Sequence, residues 1–208
     1  MRQKSPDRRH GEGGSRKRAP GRPRSEQARV AILRSALKLL GKNGFPDLTI
    51  EAVAAQAGVG KATVYRWWPN KAALIADAFA STTTRRLDFP DTGSVRRDLS
   101  QQMRQVIKIF LSRRGRILAA ILAAGQSDSD LITAFRERFM RPRRQEAYVT
   151  LRRGIARGEL RKGVDLDLLL DSLYGPIYMR FLIRHDKMTP DFIDRLCKLV
   201  LAGARPAR

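Results

Sequence analysis

Cysteine occurs once in these 208 residues, as Cys197, and histidine only twice, as His10 and His185. A lone thiol can neither close an intramolecular disulfide nor build a thiolate zinc site, which fits a reducing compartment and makes Cys197 a core thiol. With so little histidine, no serine elbow, no phosphate loop and no metal-spaced carboxylate set, there is no constellation for catalysis. No catalytic residue, metal or cofactor is expected. Long apolar runs are missing too. The longest, Ile117 to Gly125, falls far short of the ~20 residues needed to cross a bilayer. No apolar stretch follows the basic N-terminus to make a secretory signal. The chain reads as cytoplasmic.

Acidic residues are scarce beside basic ones, Asp+Glu 20 against Lys+Arg 42, for a net charge of +22. Such a field suits polyanions, either nucleic acid or an anionic membrane surface. The 42% apolar fraction can bury one or two cores, which excludes collagen, a coiled-coil filament and a wholly disordered chain. Residues 1–24 hold nine basic and two acidic side chains with Gly, Pro and almost no large apolar residue. They are expected to form a disordered basic arm.

Beyond the arm the apolar spacing is helical throughout, and no segment reads as a strand. The first helix starts at a Ser25 cap, buries Val30, Leu33, Ala36, Leu37 and Leu40, and ends over Gly41 to Pro46. A short second helix follows the Thr49 cap with Ile50, Val53, Ala54 and Ala57 on one face, and Gly58 stops it. A third runs from about Gly60 to Trp68, and Pro69-Asn70 separates it from a fourth, Lys71 to about Thr83. Further helices are expected over Val95 to Ser112, Arg116 to Ala124, Ser129 to Arg157, Asp165 to Arg184 and Pro190 to Gly203. Pro142 and Pro176 should kink or split theirs. The division is an arm (1–24), a first helical unit with its connecting helix (25–83), a second helical domain (94–203) and a tail (204–208).

Leu48 to Trp68 has the form of a helix-turn-helix. Projection at roughly 100° per residue turns Val64 and Trp68 inward and Ala62 and Arg66 outward, with Thr63 and Tyr65 on the edges. Lys61 stands at the helix start. Arg can bind guanine O6 and N7 with two bonds and methyl groups can meet thymine, so Lys61, Ala62, Thr63 and Arg66 are the candidate base readers, Arg66 first. Thr49, Tyr65, Trp67 and Lys71 carry donors suited to phosphate oxygens. At the end of the arm, Arg22 and Arg24 flank Pro23 in a Gly-Arg-Pro segment narrow enough for an A·T-rich minor groove. A solvated tail adding non-specific attraction is the plainer reading of that segment.

The run Gly58-Val59-Gly60-Lys61-Ala62-Thr63-Val64-Tyr65-Arg66-Trp67-Trp68-Pro69-Asn70-Lys71, with Asn43-Gly44-Phe45, Leu48-Thr49-Ile50 and Ala72-Ala73-Leu74 around it, resembles the tetracycline-repressor (TetR/AcrR) family of bacterial transcription regulators. The resemblance implies an all-α fold, with an N-terminal three-helix DNA-binding unit and a larger helical domain for effector binding and dimerisation. It also implies the same phosphate and groove positions as the residue chemistry. Gly60 departs from the family pattern, in which many members carry a capping serine. Ala134 to Phe139, Arg157 to Leu160 and Tyr174-Gly175-Pro176 are similar to the C-terminal domains of some members.

Leu166, Leu170, Leu173, Ile177 and Phe181, with Phe192, Leu196, Leu199 and Val200 of the last helix, form a stripe wide enough to pack on a symmetry mate. Met103, Ile107, Phe110, Leu118, Leu122, Phe135, Phe139, Tyr148, Tyr174 and Tyr178 are candidates for an effector pocket, each of which could equally be packed core. Arg104, Arg152 and Arg180 are candidate anion partners. The expected function is that of a sequence-specific regulator, a homodimeric repressor released from a palindromic site on double-stranded DNA by an unknown small-molecule effector. A basic protein binding the nucleoid or a membrane surface without regard to sequence is the alternative that charge alone leaves open.

Overall fold

The computed structural model describes residues 22–206, apart from the side chains of residues 22–25 and 85. Among the described residues ten α-helices follow one another without a strand. They are α1 (Arg22–Asn43), α2 (Ile50–Ala57), α3 (Lys61–Tyr65), α4 (Lys71–Thr83), α5 (Val95–Phe110), α6 (Arg113–Ala124), α7 (Ser129–Phe135), α8 (Arg141–Ala156), α9 (Leu166–Ile183) and α10 (Pro190–Ala202). A 3-10 turn, Thr84–Arg86, follows α4, and a π turn, Arg136–Met140, joins α7 to α8.

Helix α1 begins three residues ahead of the expected Ser25 cap. Arg22 and Arg24, read as an extended minor-groove arm, therefore fall in its first turn. Pro23 is tolerated there because first-turn N–H groups have no intrahelical partner. The rest of the arm, residues 1–21, lies outside the described residues. Ile32, Leu33, Ala36 and Leu40 form the buried face of α1, while Val30 is 43% exposed. Val30 projects roughly 90° from the centre of that stripe, and Ile32, on its other edge, is the one covered.

Helix α4 is apolar nearly all round because it is packed on both sides. Ala72 to Ala76, Ala78 and Phe79 are buried, against α1 on one flank and α7 with the π turn on the other. It belongs to both cores, so a displacement in the larger helical body reaches the head directly. Elsewhere α10 packs on α5, where Arg104 Nη2 donates to Asp194 Oδ1 and Oδ2 at 2.6 and 2.5 Å. Glu159, in the loop before α9, accepts from the Val95 N–H at 2.8 Å and so caps α5 from a distance.

Pro176 does not split its helix, whereas the helix expected over Ser129 to Arg157 is divided just ahead of Pro142 into α7, the π turn and α8. Helix α9 runs unbroken through Pro176. Ahead of Pro142 the chain widens into the π turn, in which the Arg141 N–H donates to the Arg136 carbonyl five residues back. Gly115 does not interrupt a helix either. It lies in the first turn of α6, where a Cβ would stand 1.8 Å from the Phe110 carbonyl oxygen, so the tight corner after α5 admits no side chain. The expected tail begins too early, since Ala204 is 3% exposed and its carbonyl accepts from the Arg161 N–H at 2.8 Å.

Candidate nucleic-acid interface and the cavity behind it

The reading head is assembled by local rules. Thr49 Oγ1 accepts from the Ala52 N–H at 3.1 Å and starts α2, which leaves the hydroxyl proton free for an outside acceptor. Gly58 ends α2 with φ +67°, a left-handed conformation that favours glycine and turns the chain into α3. Gly60 precedes α3 with no side-chain cap, as its departure from the family pattern implies. The α-helical part is short, and Arg66 and Trp67 continue it as a turn.

Val64 and Trp68 are 0% and 1% exposed. They anchor α3 and so turn its other side outward. Ala62, Tyr65, Arg66 and Trp67 are exposed and Thr63 half-buried. Tyr65 and Trp67 leave 45% and 41% of their large rings open. Among the described residues the Arg66 guanidinium has neither an ion-pair nor a hydrogen-bond partner.

Two of the expected DNA-contacting cations are already engaged. Lys61 Nζ pairs with the Glu51 carboxylate of α2 and lies 5.6 Å from the Tyr65 ring. Its hydrogen bond lowers the pKa of Glu51, and the same bond raises that of Lys61. Lys71, expected at a phosphate, donates to the carbonyls of Phe45 and Pro46 at 3.0 and 3.1 Å and sits 4.5 Å from the Phe45 ring. Its bonds to the α1–α2 loop make it a strut of the head, a contact that spacing along the chain does not reveal. Asn70 caps α4, its Oδ1 accepting from the Ala73 N–H at 2.8 Å. A polar residue after Pro69 and before Lys-Ala-Ala-Leu carried that signal.

Between α4, α5, α8 and α9 lies a cavity of about 80 Å³. Phe110, Leu118, Phe139, Tyr174 and Tyr178 line it as expected. Met103, Ile107 and Phe135 do not, being packed core at 0%, 4% and 1% exposure. Leu122 is half-buried away from it. Tyr148 faces a separate outer groove and donates to Asp167. Met103, Ile107 and Phe135 are misplaced for one reason: large apolar side chains at helical spacing mostly fill space between helices.

The walls further include Phe79 and Thr83 of α4, Met140 of the π turn, and the guanidiniums of Arg143 and Arg144. Arg143 is bonded to Glu146 and to the Leu87 carbonyl, and Arg144 to Asp167 and Asp171. Arg104 and Arg180 pair elsewhere, with Asp194 and Asp186, and Arg152 lies over the Tyr148 ring. The Tyr174 hydroxyl donates to Gln102 Oε1 at 2.5 Å, whereas the Tyr178 hydroxyl has only the Met140 sulfur, at 3.6 Å. Burial pushes the Tyr178 phenol up to about 12 and raises Tyr174 as well. Both line the cavity neutral.

Residues 32–78 match the bacterial regulatory proteins of the tetR family, and residues 89–200 match the tetracyclin repressor-like C-terminal domain. The chain belongs to the TetR family. It is 40% identical over 185 residues to an uncharacterized HTH-type transcriptional regulator, YdeS, of Bacillus subtilis, which covers 89% of this chain and 93% of that protein. It is 31% identical over 179 residues to the DNA-binding transcriptional repressor TetR of Mycobacteroides abscessus, 86% of this chain and 94% of that one. The crystal structure of the TetR family transcription regulator SCO0332 superposes with a TM-score of 0.73 at 38% identity, over 86% of this chain and all of the other. The protein is a DNA-binding transcriptional regulator with an N-terminal helix-turn-helix and a C-terminal helical domain. No helix among the described residues is long and apolar enough to cross a membrane.

As a TetR-family chain it leaves one apolar face uncovered, and of the side chains expected there from the sequence Leu199 alone is exposed. Leu170, Leu173, Ile177, Phe181, Phe192 and Leu196 are between 0% and 9% exposed within the single subunit. Helix α9 is apolar on two faces, and its own body consumes one of them. The open stripe is Leu168, Met179, Leu182 and Ile183, exposed by 64%, 57%, 48% and 63%, joined by Leu199 of α10 at 75%. Leu166 and Val200 are half-buried.

Proposed function

We propose that this regulator is a homodimeric repressor that reads a palindromic site with two copies of α3 and leaves it when a small apolar molecule enters the cavity. The observation that carries the reading is the outward face of α3. Arg66 is unpaired among the described residues and stands between two half-open aromatic rings, on a backbone anchored by two fully buried side chains. A free guanidinium on a rigid support is suited to bidentate guanine recognition. Thr49, Tyr65 and Trp67 supply phosphate donors on either side. Lys61 joins the readers by exchanging Glu51 for DNA, and Lys71 serves the head mainly from within.

The stripe along α9 with Leu199 is the dimer surface, since an exposed apolar stripe is covered when the same stripe of a second copy meets it across a two-fold axis. The effector is small and carries no net charge into the cavity. The walls are mostly apolar, the phenols are neutral, and both guanidiniums at the rim are already matched by carboxylates. A charged head group would enter without an unpaired counter-ion to meet it. The site of action is the cytoplasm, on double-stranded DNA.

Selection of bound fragments from a random duplex pool tests this. The expected product is an inverted repeat recovered in preference to bulk DNA. Recovery of fragments without a shared motif would support sequence-indifferent binding instead.

A further inference from the structure

Asp77 of α4 takes hydrogen bonds from both halves of the molecule on a single oxygen. Its Oδ2 accepts from the Trp68 indole Nε1–H at 2.8 Å and from Arg138 Nη1–H at 2.9 Å. Trp68 anchors the recognition helix. Arg138 stands in the π turn Arg136–Met140, whose Phe139 and Met140 wall the cavity.

We propose that Asp77 is the positioning residue through which the cavity controls the reading head. The inference rests on the cavity being the effector site. A π turn holds an extra residue in a geometry that an α-helix does not need, and such turns recur at functional sites. Here the Phe139 ring packs edge-on against Phe79 of α4 and tilted against Phe135, with ring centres 4.9 and 5.2 Å apart, so an occupant that moves Phe139 or Met140 moves the turn. Arg138 moves with it. Asp77 then loses the cation that fixes its carboxylate, and the Trp68 indole loses an oriented acceptor. The base of α3 swings with the indole, because Trp68 lies one helical turn beyond Val64 in the same buried anchor. The aromatic cluster carries the displacement, and the shared oxygen converts it into a change at the DNA face.

Xenon, which enters dry apolar cavities, serves as the probe, and the two indole N–H resonances of the full chain as the readout, with Trp67→Phe assigning them. Under xenon pressure the Trp68 resonance is expected to move in the native chain and to stay fixed in Arg138→Gln, while wall methyls of Ile109 and Leu118 move in both. Moving wall methyls with a Trp68 resonance that is static in the native chain, or that moves equally in Arg138→Gln, overturn the proposal alone. Static wall methyls in both proteins overturn the cavity reading and this proposal with it. A second measurement needs no gas. On a selected operator fragment the effects of Arg138→Gln and Trp68→Phe on affinity should depart from their product by about threefold or more. They should multiply simply in an Asp77→Ala background. Simple multiplication in both backgrounds contradicts the relay. Arg138 is surface-lying, so the xenon comparison holds even if Trp68→Phe does not fold.

Discussion

Arg66 and Lys71 stand on adjoining elements with the same charge and different employment. Arg66 points outward without a partner among the described residues, so Arg66→Ala should cost about 1–3 kcal/mol on the selected site and relax preference at one base pair. Random DNA should be affected far less. Lys71 binds two backbone carbonyls, so Lys71→Ala should lower the midpoint of thermal unfolding by a few degrees. An unchanged midpoint with uniformly weaker DNA binding would return Lys71 to the phosphates. Tyr178 makes a prediction about pH. Burial keeps the phenol of the folded protein neutral up to about 12, against about 10 for a tyrosine in water. Stability from this group is therefore complete below pH 10 and is lost as pH rises from 10 to 12. Tyr178→Phe should flatten that alkaline loss by on the order of 2 kcal/mol, measured as unfolding free energy against pH. An unaltered slope would place the phenol in water.

Single elements were most legible where a local rule ends them. Thr49, Gly58, Asn70 and Thr189 cap or stop their helices with their own atoms, and the bounds of α2, α4 and α10 follow closely from such residues. Gly115 and the π turn were not legible, because apolar spacing carries neither the close approach of the Phe110 carbonyl at the α5–α6 corner nor the five-residue bond from Arg141 to Arg136. The outward face of α3 could be read from periodicity. Engagement of Lys61 by Glu51 could not, since it joins two helices across a turn. That pair makes Glu51 a competitor of DNA for Lys61. Glu51→Gln should free the ammonium and steepen the salt dependence of DNA binding by about one unit of slope. An identical slope would mean that Lys61 stays off the phosphates and bases in the complex.

At the scale of the whole molecule, the sequence shows that α9 has more apolar surface than one subunit can cover, but not which side is left over. Burial of Leu173 and Ile177 and exposure of Met179 and Ile183 decide it. The substitution Met179→Asp should raise the dimer dissociation constant by a factor of about 30 or more, roughly 2 kcal/mol, read by sedimentation. Operator affinity should fall with it, while Leu173→Ala should act on folding rather than assembly. A dimer indifferent to Met179→Asp would move the interface elsewhere.

The account turns on two copies of α3 entering one duplex, and hydroxyl-radical footprinting on a selected operator tests this most directly. The predicted pattern is two protected patches on one face of the helix, centred about 34–36 Å or a multiple apart, both fading in Arg66→Ala. Protection that spreads without fixed edges as protein is added, or a footprint unchanged by Arg66→Ala, would contradict it.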